Sequence, residues 1–237
     1  MGKHLKLESV KEGSCVARAM EDVKSLLGTQ EMARFLYHNL DHALGVAKVA
    51  KRLGEKEKLP PADIENLELA GLYHDVGYKL RYKNNEALGA AIARGFLREM
   101  GYPDWIVDEI ETLILSTRMP PEPEGTRQQI LCAADHFNAS GPSLFEKGEL
   151  LRREIEAEEG CKIPALDWYI RQRDYLSGLL DNEAFMEAAR RFGMEDGIRL
   201  NLRKLNTLIE DIALDNLPRY TPLTDTVFGE LSPDKRP

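Results

Sequence analysis

Almost every segment of this 237-residue chain repeats its apolar residues at the spacing of an α-helix. The segment DHALGVAKVAKRLG, for example, places Ala43, Val46, Ala47 and Ala50 on one face, and Gly54 is expected to end the helix. No segment shows the strict alternation of apolar and polar residues that marks a half-buried β-strand. The pattern therefore predicts an all-α protein.

The helical pattern and a shift in composition divide the sequence into four parts. We expect an N-terminal helical extension at residues 1–29, a core domain at 30–141, further helices packing on the core at 142–216, and a proline-rich tail at 217–237. No histidine occurs after residue 141. Chemistry that needs imidazole is therefore expected in the first part of the chain.

Composition excludes several classes of protein. No run of 18 apolar residues occurs, so no membrane span is predicted. The start of the chain lacks the features of a secretory signal, and three widely spaced cysteines fit reduced thiols, so we expect a cytoplasmic protein. A net charge of -8 argues against non-specific binding of nucleic acid. The amphipathic helices after residue 141 fit either a cap over a site or the surface of a homodimer.

Three of the five histidines lie in two short, similar segments, YHNLDH and LYHDVG. His42 falls near the start of one predicted helix, four residues after His38, and His74 and Asp75 fall at the end of another. Asp135 lies late in the apolar helical run ILCAADHFNA, where a carboxylate needs a partner. A divalent metal ion is one such partner. Imidazole and carboxylate ligands suit Mn, Mg, Co, Fe, Ni or Zn, which the sequence does not distinguish.

The whole set resembles the ligand pattern of the HD-domain superfamily of metal-dependent phosphohydrolases. It comprises an early histidine, the HD dipeptide within AGLYHDVGY, and an AAD helix some sixty residues later. The resemblance implies an HD-domain-like helical bundle with additional C-terminal helices, in which four side chains bind one metal ion. The implied metal ligands are His42, His74, Asp75 and Asp135.

Two further motifs resemble the same superfamily. YHNLDHA is similar to the opening motif of cyclic-nucleotide phosphodiesterases and of a bacterial HD branch, in which the first histidine contacts the scissile phosphate or protonates the leaving oxygen. NNEALGA is similar to the NNE segment of that branch, where Glu86 could hold a water or a ligand histidine. We take His38, Asp75 and Glu86 as candidate catalytic residues. Cations beside the motifs are candidate phosphate contacts: Lys79, Arg81 and Arg118.

The pattern also departs from that of HD proteins with two metals. Those need extra histidines between the HD dipeptide and the last aspartate, and none occurs between Asp75 and Asp135. We therefore expect one divalent ion, and our leading hypothesis is hydrolysis of a small phosphate ester by a metal-activated water, with a nucleotide as first guess by analogy. The alternative is a non-catalytic sensor that binds metal or a nucleotide. An HD oxygenase, which needs two irons, is disfavoured.

A few other residues are expected to have structural roles. Asn85 is a candidate helix cap, and Trp105 and Trp168 are candidate packing anchors. We expect His136 to be structural because it points about 100° away from Asp135 on a helix.

Overall fold

The computed structural model describes residues 14–214, and the predicted tail at 217–237 lies outside the described residues, as do residues 1–13. Between residues 14 and 214 the chain forms eleven α-helices and two 3₁₀ turns, with no strand. The all-α prediction is therefore confirmed. The chain divides into two compact units between Asp135 and His136.

The first unit contains six α-helices and both 3₁₀ turns. In chain order these are α1 (Cys15–Leu27), a 3₁₀ turn (Glu31–Arg34), α2 (Leu40–Lys56), α3 (Pro61–Tyr73), a second 3₁₀ turn (Val76–Lys79), α4 (Asn85–Glu99), α5 (Asp104–Leu115) and α6 (Gly125–Asp135). The prediction that α2 ends at Gly54 is wrong, because the helix continues for two more residues, to Lys56. The chain then turns at Lys58, whose φ is 57°.

Helix α3 is the centre of the first unit. It packs against α1, α2, α4, α5 and α6, and residues around its whole circumference are buried, among them Leu67, Leu69, Leu72 and Tyr73. A helix that is apolar on all sides is expected where other helices surround it. The C-terminal end of α3 therefore carries the HD dipeptide into the interior of the unit.

Gly71 brings the backbones of α2 and α3 into direct contact. A Cβ atom at this position would lie 2.8 Å from the Cα of Ala47, closer than real Cβ contacts come. Ala47 follows His42 by five residues, and Gly71 precedes His74 by three. The close approach of the two helices therefore helps to set the distance between these two histidines.

The second unit contains the remaining helices, α7 (Phe137–Ser140), α8 (Leu144–Glu159), α9 (Ala165–Asp181), α10 (Glu183–Arg191) and α11 (Glu195–Ala213). Helix α11 packs against α9 and α7. His136 is buried, and its ring lies 5.2 Å from that of Phe185, which agrees with the structural role predicted for it. Trp168 is buried, as predicted for an anchor.

In the first unit the prediction for Trp105 is wrong. Its side chain is 67% exposed, because the buried face of α5 is formed by other residues. None of the helices between residues 14 and 214 combines the length and apolar character needed to cross a membrane.

Candidate metal centre

The first histidine of the centre lies in the first turn of α2. Asn39 caps this helix: its side-chain oxygen accepts a hydrogen bond from the backbone N–H of His42 at 3.1 Å. The side-chain amide of Asn39 also donates to the carbonyl of Leu36 at 2.8 Å, which ties the incoming chain to the cap. His38 precedes the helix and lies in a bend, so the two histidines do not share a helical face.

His74 and Asp75 occupy the junction between α3 and the second 3₁₀ turn. His74 Nδ1 lies 2.8 Å from the carbonyl oxygen of Gly71, to which it donates a hydrogen bond. This contact fixes the tautomer of the neutral ring and leaves the lone pair of Nε2 available for a metal ion. Asp75 has φ -106° and ψ 2°, a conformation between helix and strand that turns its carboxylate towards the histidines.

Asp135, the last residue of α6, completes the cluster. His42 Nε2 lies 3.2 Å from Asp75 Oδ2 and 3.3 Å from Asp135 Oδ1. His74 Nε2 lies 3.1 Å and 3.4 Å from the same two oxygens, and the two Nε2 atoms are 3.3 Å apart. The structure thus brings together all four residues that the resemblance implied as ligands.

The spacing of these atoms fits a shared cation better than a set of hydrogen bonds. Each Nε2 faces two carboxylate oxygens and another imidazole nitrogen, but one N–H group can point at only one acceptor. Atoms that bind one ion at about 2.0–2.2 Å, with angles from octahedral to tetrahedral, lie about 2.8–3.6 Å apart. The distances from the imidazole nitrogens to the carboxylate oxygens, 3.1–3.4 Å, fall within that range. The ligand atoms of His42, His74 and Asp135 all lie within 4.8 Å of one another, whereas Asp75 joins this group through its contacts with the two histidines. Two imidazoles and two carboxylates also suit a divalent transition metal.

Charge and burial shift the pKa values of the cluster. Burial by itself lowers the pKa of His42, but hydrogen bonds with Asp135 and Asp75 outweigh it, so this pKa is raised. Burial is likewise outweighed at His74 by the charges of both aspartates, and its pKa lies well above the ordinary value. Burial raises the pKa of Asp75, yet the charge of His74 and two hydrogen bonds hold it well below its usual range. Protons and a metal ion therefore compete for the same imidazole nitrogens.

Asn85 is a residue of the site that sequence reasoning assigned only a capping role. The first helical residue of α4 is Asn85 itself, and its buried side chain donates to Asp75 Oδ1 at 3.2 Å. This bond orients the carboxylate so that Oδ2 faces the histidines. The NNE segment was the available signal, but the analogy pointed to Glu86 instead.

Helix α4 places Asn85 beside Asp75 because Gly89 allows the helix to approach the turn that contains His74 and Asp75, called the HD turn below. A Cβ at Gly89 would lie 2.6 Å from the carbonyl oxygen of Tyr73 and 3.0 Å from that of His74. A larger residue would push α4 away from the turn and carry Asn85 away from Asp75.

His38 lies beside the cluster within a group of aromatic rings. Its ring centroid is 6.0 Å from that of His42, and it lies 4.1 Å from that of Tyr78 at an angle of 16°. Tyr37 contacts both histidines, with centroid distances of 4.8 Å to each. His38 therefore lies next to the candidate metal centre, although it belongs to none of the three helices, α2, α3 and α6, that position the ligand candidates.

The remaining predicted residues are not part of the cluster. Glu86 is half-buried at the start of α4 and, within residues 14–214, makes no hydrogen bond or ion pair with the four ligand candidates. Lys79 is half-buried in the second 3₁₀ turn, and Arg81 and Arg118 are exposed. Among the described residues no carboxylate forms an ion pair with any of these three cations, which leaves their charges available to an anion.

The family model of the HD domain matches residues 39–140, a segment that contains all four ligand candidates, so this segment is an HD domain. Comparison with curated proteins and with solved structures found no match.

Proposed function

We propose that this protein is a phosphohydrolase that depends on one divalent metal ion and hydrolyses a phosphate ester of a small molecule, a nucleotide being one such ester. The observation that carries the proposal is the convergence of two imidazole nitrogens and two carboxylate oxygens at 3.1–3.4 Å. The ion would be held by His42, His74, Asp75 and Asp135. When bound, a divalent ion supplies a more acidic water and polarises a phosphoryl oxygen.

The side chains around the centre have separate tasks in this proposal. His38, next to His42, contacts the phosphate or donates a proton to the leaving oxygen. Lys79, the last residue of the second 3₁₀ turn, and Arg81, two residues further on, offer positive charge to the equatorial phosphate oxygens. Arg118 is a further candidate. Glu86 is a candidate for holding a water near the site.

The test is release of phosphate from a panel of esters with Mn²⁺, Mg²⁺, Co²⁺ or Fe²⁺ supplied. We expect metal-dependent turnover by the wild type and a loss of at least about 100-fold in Asp75→Asn, which keeps the shape but removes the charge. Asp63→Asn is the matched control, because Asp63 lies in the same unit and pairs with Arg127. That variant should retain wild-type activity.

Two outcomes would favour the alternatives. Tight nucleotide binding without metal-dependent release of phosphate would indicate a sensor that binds and signals. Two irons per chain in protein purified without chelators would indicate oxygenase chemistry.

A further inference from the structure

The imidazole of His38 is not oriented by a helix. It lies in the bend before α2, where the backbone N–H of Asn39 donates to the carbonyl of Tyr37 at 2.9 Å. This contact and the cap at Asn39 hold the main chain, but they leave the plane of the His38 ring undefined. A proton donor or phosphate contact needs a defined plane, since both roles depend on the direction of a ring N–H group.

Three aromatic rings hold the plane of the His38 imidazole in one orientation. Tyr78 lies flat against His38, with centroids 4.1 Å apart and planes at 16°. Tyr37 and Tyr82 meet the same imidazole nearly at right angles, at 80° and 88°. One flat neighbour and two perpendicular ones restrict both rotation of the ring and its tilt.

Tyr78 is itself anchored to the candidate metal centre. Its backbone N–H donates to the carbonyl of Asp75 at 3.1 Å. The preceding residue, Gly77, packs so tightly that an added Cβ would lie 1.9 Å from the carbonyl oxygen of Asn85. The main chain of Tyr78 is therefore fixed next to Asp75. The Tyr78 ring also contacts the rings of Phe35 and Tyr82 edge-on, with centroid distances of 5.8 Å and 5.2 Å, and these contacts hold it against His38.

The stacked faces, rather than the hydroxyl, carry this contact. Tyr78 Oη lies 3.2 Å from His38 Nε2. Because the two rings are nearly parallel and stacked, the line that joins these two atoms is far from the plane of either ring. A phenol O–H and an imidazole lone pair both lie in their ring planes. A hydrogen bond in the ring plane at His38 Nε2 is therefore made with a group other than the Tyr78 hydroxyl.

We infer that Tyr78 is a positioning residue, whose ring face holds the imidazole of His38 in a fixed orientation beside the metal centre and whose hydroxyl is dispensable. The inference rests on the proposed function, because it concerns the role of His38 in that reaction.

The experiment compares Tyr78→Phe, which keeps the ring, with Tyr78→Leu, which removes it. On an ester that the wild type hydrolyses, we expect kcat within about threefold of wild type for the phenylalanine variant. The leucine variant should lose about 10- to 100-fold in kcat, the scale of effects from a misplaced catalytic group. KM and bound metal should stay near wild type in both. Tyr102→Leu is the matched control: Tyr102 is also half-buried in the first unit, bonds to Glu65, and should leave kcat unchanged.

A double-mutant cycle separates positioning from general packing. In a His38→Ala background, Tyr78→Leu should lower kcat by less than about threefold, because the residue it positions is gone. Should the leucine variant fail to fold, Tyr78→Met fills more of the space without a flat face and carries the same expectation.

Several results would overturn the inference. Equal losses in the phenylalanine and leucine variants would assign the effect to the hydroxyl. A leucine variant as active as the Tyr102→Leu control, or an undiminished loss in the His38→Ala background, would show that Tyr78 does not act through His38. These outcomes leave the proposed function intact, whereas a wild type that hydrolyses no phosphate ester with any metal removes both.

Discussion

Replacing Gly71 with alanine tests whether the close approach of α2 and α3 holds the candidate metal centre together. The new methyl carbon would lie 2.8 Å from the Cα of Ala47, whereas ordinary contact begins at 3.4 Å. The helices must therefore separate by about 0.6 Å, the difference of these two values. Overpacking of this kind costs about 1–3 kcal/mol of stability. Because the contact lies close to His42 and His74, we also expect metal affinity to fall by about 10- to 100-fold.

Thermal unfolding with chelator measures the first effect, and titration with Mn²⁺ or Co²⁺ measures the second. Gly45→Ala is the matched control, because Gly45 lies in α2, the helix that Gly71 contacts, and an added Cβ at Gly45 meets nothing within 4 Å. Alanine at an open helical position should raise stability by about 0.5–1 kcal/mol and leave metal affinity unchanged. A Gly71→Ala protein that matches the wild type in both stability and affinity would refute the reasoning.

Three further predictions concern other parts of the molecule. Asn85→Ala removes the donor to Asp75 Oδ1 and should weaken metal binding by about 10- to 100-fold; wild-type affinity in a metal titration would contradict this role. Because folding raises the pKa of both imidazoles of the centre, the metal-free protein takes up protons on folding. Its unfolding temperature should therefore fall as the pH rises from about 6 to 8, while the stabilisation by added Mn²⁺ grows, and calorimetry that gave the reverse would exclude this competition. In native protein the exposed Cys161 should react with a thiol reagent, whereas burial raises the pKa of Cys15 and Cys132 and should keep both unreactive; modification of all three at similar rates would argue against this packing.

Local patterns in the sequence predicted the helices well. Apolar spacing depends on residues three and four apart, so each helix is encoded within its own segment. The boundary at Gly54 was wrong because glycine is tolerated in a helix whose other residues keep its face buried, and the turn came at Lys58 instead. The four ligand candidates were found through the resemblance, and the structure brings them together, while their role as ligands remains a prediction.

Contacts between distant segments could not be predicted in the same way. Asn85 appears in the sequence as a cap, but its side chain bonds to Asp75 because α4 packs against the HD turn. Tyr78 acquires its place against His38 only when the bend before α2 meets the turn after α3. The prediction for Trp105 failed because a large aromatic residue does not reveal which face of its helix is buried.

The central claim is that four side chains from three separate segments of the chain surround a single cation. Anomalous scattering from crystals grown with Mn²⁺ tests it directly. We predict one peak per chain, about 2.0–2.3 Å from the Nε2 atoms of His42 and His74 and from a carboxylate oxygen of Asp75 and of Asp135. A peak elsewhere, or none at these atoms while manganese is bound in solution, would contradict the account.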